Sequence, residues 1–157
     1  MKKVIAITLL SFCQIVNAEW NIEEPLKDVS QELEGSIFGR NFTFGEATWD
    51  EMTLTISSKN QMEGWPESEL IIFWGNDGSR SECLVTPDNS IFEDPHVHMK
   101  FGKEGKEFPG TLIFMSEYSM YLKVIEKSAG KAKMQIHVSL PDYQKSTLMG
   151  VFEAKLQ

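Results

Sequence analysis

The residue pattern predicts an all-β fold, an antiparallel β-sandwich with a small β-barrel as the alternative, preceded by a short N-terminal helix. Three observations carry this expectation. Apolar residues recur with a period of two through most of the chain after Gly35. Clusters of Gly, Pro, Asn and Asp separate those runs at short intervals. No helical stripe interrupts them, so there are no crossover helices to build a parallel sheet.

The first element is a leader. Lys2 and Lys3 precede an apolar run from Val4 to Val16, and Val16-Asn17-Ala18 offers a small-residue cleavage pattern. Residues 1–18 are therefore expected to be a signal peptide cut after Ala18. The run is shorter than the roughly 20 apolar residues that span a bilayer. Lipid attachment at Cys13 would want a small residue before it, and Phe12 is not small. The expectation is a soluble bacterial protein, periplasmic or secreted, that is not membrane-embedded after cleavage. Losing Lys2 and Lys3 would take the formal charge from −8 to −10.

Residues 19–34 read as a short helix or a tether. Ile22, Leu26, Val29 and Leu33 form one helical stripe, Pro25 suits a first turn, and Glu23 and Glu24 suit the positive end of the dipole. Gly35 is the expected stop.

Residues 35–157 form the β domain. Met52, Leu54 and Ile56 alternate with Thr53, Thr55 and Ser57, and Val97, Met99 and Phe101 alternate with His96, His98 and Lys100. Leu70 to Trp74 is apolar throughout, as in a central strand covered on both sides. The runs 118–126 and 132–140 are expected to pair as a hairpin through a short Lys/Ser/Gly loop, and Leu148 to Leu156 forms the last strand. Met52, Met99, Met120 and Met134 fall on the predicted inner faces and read as core filling rather than thioether ligands. Trp49 and Trp74 read as core as well.

The spacing Gly35-Ser36-Ile37-Phe38-Gly39 with Phe42-Thr43, then Pro95-His96-Val97-His98, Leu140-Pro141-Asp142 and Gly150-Val151-Phe152-Glu153-Ala154, resembles a group of uncharacterised secreted bacterial β-domains. The resemblance spans 35–157. It implies secretion and a β fold and adds nothing about chemistry.

Composition narrows the function. A formal charge of −8 argues against a nucleic-acid binder, which needs a basic face. No serine sits in a Gly-x-Ser-x-Gly elbow, and there is no phosphate loop or dinucleotide fingerprint, so no catalytic residue is nominated. Cys83 would be the only cysteine left after cleavage. Its acidic neighbour Glu82 does not activate a thiol, and it reads as a small buried hydrophobe. His96 and His98 are two apart on a strand and share a face; with His137, Glu93 or Asp94 they could hold zinc or copper. Trp65, in a turn, is the first candidate for a protein or sugar contact, with Tyr121 and Tyr143 behind it.

The favoured reading is a non-catalytic interaction module without a cofactor, its partner an envelope or extracellular protein of basic charge. A periplasmic Zn/Cu-binding protein or metal-dependent hydrolase built on His96 and His98 is the alternative, and a carbohydrate-binding module using Trp65 is the third.

Overall fold

A computed structural model describes residues 22, 24–50, 52–75, 80–88 and 95–157. The expected leader, its cleavage site at Ala18, and Glu93 and Asp94 lie outside the described residues. Among the described residues there are strands and no helix. The first half holds β1 (Glu34–Ile37), β2 (Arg40–Asn41), β3 (Phe44–Trp49), β4 (Thr53–Ser58), β5 (Gln61–Met62), β6 (Trp65–Pro66) and β7 (Ser68–Phe73). The second holds β8 (Glu82–Val85), β9 (His96–Phe101), β10 (Gly110–Phe114), β11 (Ser119–Ser128), β12 (Lys131–Ser139) and β13 (Thr147–Leu156).

The all-β expectation holds, and the ladder is a single sheet. Its path runs β10-β9-β7-β4-β3-β13-β12-β11-β8, with β1 and β2 attached at β13, and it curls into half a barrel. The two halves are joined by one short parallel contact, Thr48 opposite Lys155 and Trp49 opposite Leu156. That contact keeps the ladder continuous, so the described strands show neither the two separate sheets of a sandwich nor a closed barrel. β5 and β6 form a separate two-stranded ribbon.

Alternation places the core on the inner face. Leu54, Ile56, Leu70, Ile72, Val97, Met99, Met120, Leu122, Met134, Ile136, Val138, Leu148 and Phe152 meet there, with the side chains between them facing outward. β11 and β12 form the expected hairpin, with Met120 opposite Val138 and a register shift between Val124 and Glu126. Two readings need correction. The outer face of β7 is not buried like its inner face, with Ile71 half-buried and Phe73 exposed, and none of the described elements lies over it as one would over a central strand. Met52 is exposed and sits before β4, where its carbonyl accepts the Trp74 N–H.

The described part of the expected helix, 24–34, is not helical. Its polar groups are bonded across the sheet rather than along their own axis. Leu26 N–H donates to His137 Nδ1 at 2.7 Å, Lys27 carbonyl accepts from Gln135 Nε2 at 2.6 Å, and Gln31 carbonyl accepts from Val151 N–H at 2.8 Å. Glu32 bridges Val151 in parallel. Pro25, Val29 and Leu33 are buried while Leu26 is exposed, so the spacing that reads as a stripe is a strap's alternate contact with the sheet. Gly150 lets the strap lie this close. Its φ is +148°, and a Cβ there would stand 2.5 Å from the Glu32 carbonyl oxygen.

Candidate functional site

His96 and His98 project from the outer face of β9, which lies between β7 and β10. His96 is opposite Phe73; His98 is opposite Ile71 on one side and Ile113 on the other. The His98 ring packs on Phe73 with centroids 4.6 Å apart. Lys100, the next outward residue, is ion-paired to Glu69 at 3.0 Å. Partial burial holds the His98 pKa below its ordinary value, and repulsion from His96 and Lys100 pushes the same way. Among the described residues the pair is flanked by the Phe73 ring, by Ile71 and Ile113, and by Lys100, whose ammonium holds the Glu69 carboxylate.

The structure does not bring the third histidine to the other two. His137 is on β12, five strands along the ladder from β9, and its Nδ1 is engaged by the strap. Among the described residues no three His, Cys, Asp or Glu side chains are placed to hold a metal ion.

The aromatic candidates separate too. Trp65, 41% exposed, sits on the β5–β6 ribbon with its indole N–H donating to the Glu107 carbonyl at 2.9 Å. Tyr143 is 72% exposed and meets Phe38 edge-on, while Phe38 stacks on Phe101. Tyr121 is buried. Its hydroxyl donates to Glu82 at 3.0 Å, Lys27 stands over its ring, and burial followed by Glu82 raises its pKa. Cys83 is half-buried rather than buried, on β8, the last strand of the described ladder.

A cavity of about 430 Å³ lies beside the β3–β13 contact, lined by Gly45, Glu46, Lys59, Lys131, Glu153 and Lys155. Most of its charges satisfy one another, Lys131 with Glu153 at 2.6 Å and Lys155 with Glu46 at 3.1 Å.

The feature the sequence reading overlooked is β10. Among the described residues it pairs with β9 alone and ends the sheet, with no described strand on the other side of its backbone. Gly110–Phe114 has no charge, no proline and no bulge, the devices that normally blunt an edge. Phe108, Ile113 and Met115, three of the ten exposed large apolar side chains among the described residues, lie on or beside it, and Phe73 stands two strands in, on β7. The signal was legible as an apolar run, Leu112 to Met115, straight after Pro109-Gly110.

No family model, no curated protein and no solved structure matches the chain.

Proposed function

We propose that this protein is a non-catalytic interaction module that takes an extended segment of a partner protein along β10. The observation that supports it most is the combination of an unprotected strand edge with exposed apolar residues on the outer face beside it. An added strand gains main-chain hydrogen bonds along the edge, and its outward side chains lie beside exposed Ile113, with Phe108 and Met115 flanking the strand. The leader pattern of residues 1–18 supports a partner in the bacterial envelope or outside the cell. A formal charge of −8 favours a basic partner through steering.

The test compares two edges of the same sheet. Wild type, Ile113→Lys and Leu84→Lys are immobilised and exposed to envelope extract, with Leu84 chosen because it lies on the opposite edge strand, β8. A protein retained by wild type and Leu84→Lys but lost by Ile113→Lys is the expected result. Equal retention by all three would remove β10 from the reading.

A further inference from the structure

We propose that the cavity beside the β3–β13 contact binds a phosphate monoester through the ammonium groups of Lys59, Lys131 and Lys155. The inference stands apart from the β10 reading, since it concerns the middle of the ladder.

The cavity lies where the sheet splits. β3 and β13 run parallel and pair only at Thr48–Lys155 and Trp49–Leu156. The next contact back along β13 is the strap, which reaches Val151 through Glu32 and the Gln31 carbonyl. Between these two contacts β13 has no register partner on β3. β3 is itself bulged, since Phe44 is opposite Ser58 and Glu46 opposite Ser57, with Gly45 between them. A bulge bends its strand, which turns the start of β3 away from β13. A Cβ on Gly45 would stand 2.7 Å from the Lys59 nitrogen, so the bulge also draws Lys59, the residue after β4, to the cavity. The opening of about 430 Å³ has room for an anion and a small organic group.

The charges lining the cavity do not balance. Lys131 of β12 is directly opposite Lys155 of β13, a like-charge pair that costs a sheet stability. Each holds one carboxylate, Lys131 with Glu153 at 2.6 Å and Lys155 with Glu46 at 3.1 Å. Lys59 is exposed and has no ion pair among the described residues. Three formal positive charges against two negative leave the cavity at +1, on a chain of −8. An ammonium has three N–H donors, so Lys131 and Lys155 keep donors beyond their carboxylates and Lys59 keeps all of its own.

A phosphate monoester answers that donor set. It carries a charge of about −1.5 to −2 at pH 7 and three strong acceptor oxygens, so it reaches all three ammonium groups and relieves the Lys131–Lys155 repulsion. Half-buried Phe44 and Pro66 line the same cavity and give the organic part of the ester an apolar wall.

Backbone amide shifts of the full chain at pH 7.5 read the site at Gly45, Lys59 and Lys155. Phenyl phosphate, inorganic phosphate and phenyl sulfate are titrated separately, with sodium chloride at matched ionic strength as the blank. Saturable shifts at these amides are expected with phenyl phosphate, tighter than with inorganic phosphate or phenyl sulfate, and absent with chloride. Lys59→Gln should weaken phenyl phosphate binding up to about fivefold, and Glu46→Gln should tighten it by a similar factor because it removes a competing carboxylate. Lys106→Gln makes the same charge change on an exposed residue outside the cavity and should leave the affinity as it was. No saturable shift, equal shifts with chloride, or phenyl sulfate binding as tightly as phenyl phosphate would each overturn the proposal. So would an unchanged affinity in Lys59→Gln, or an equal loss in Lys106→Gln.

Discussion

Trp49 and Trp74 stack with ring centroids 5.5 Å apart, and neither indole N–H has a hydrogen-bond partner although both side chains are buried. They stand beside the junction of the sheet, where Trp49 pairs with Leu156 and Lys127 lies 4.6 Å over its ring. The stack is thus held by ring contact, burial and a cation over the π-face, not by polar matching. Trp74→Ala should cost about 3–5 kcal/mol in urea unfolding. Trp74→Phe should cost clearly less, because it keeps a ring in the stack and removes a donor that has no acceptor. Equal losses would show that the N–H is satisfied in solution.

The Leu140-Pro141-Asp142 turn is held by a buried carboxylate. Asp142 accepts from Ser146 N–H at 2.7 Å and from Ser146 Oγ–H at 2.9 Å, and Ser146 Oγ in turn accepts from Phe38 N–H at 2.8 Å. Asp142→Ala strands these donors and should lower stability by about 3 kcal/mol by chemical denaturation. Asp142→Asn should recover part of that, since its amide oxygen still accepts.

Gly150→Ala meets the strap directly. The new methyl would lie 2.5 Å from the Leu33 Cα at a φ of +148°. A loss of at least about 2 kcal/mol is expected, together with faster exchange at Val151 at neutral pH. Unchanged exchange there would mean that the strap does not lie in this groove.

His98 should make the fold less stable in mild acid. Its folded pKa is depressed, so the stability it supports is fully present above about pH 6.5 and is lost as pH falls through the lower folded value. The urea midpoint of wild type should fall from pH 7.5 to 5, and His98→Gln should flatten that slope. An identical slope in the variant would assign the effect elsewhere.

Zinc or copper should move the melting temperature little. A site filled at 100 times its dissociation constant would add about 2.7 kcal/mol, several degrees for a domain of this size. His96 and His98 alone, with Lys100 beside them, are expected to fall well short of that at pH 7.5. A shift of several degrees that vanishes in the His96→Ala/His98→Ala pair would restore the metal reading.

The sequence by itself determined what depends on period and local chemistry. Alternation at Leu54 and Ile56, at Val97 and Met99, and at Met134, Ile136 and Val138 marked strands and their inner faces, because a strand sends successive side chains to opposite sides. The β11–β12 hairpin was legible because its partners are neighbours in the chain. What only the tertiary structure decided depends on partners far apart in sequence. The contact of Trp49 with Leu156 makes one curled sheet of the strands, and no periodicity encodes which strand meets which. Leu26, Val29 and Leu33 fit a helix equally well until Gln135, His137 and Val151, more than a hundred residues away, satisfy the strap's backbone instead. The ladder likewise keeps His137 on β12 apart from His96 and His98 on β9, which share a residue type but not a neighbourhood. β10 became a candidate site only once its place at the edge was known, since an edge is defined by the strand that is missing beside it.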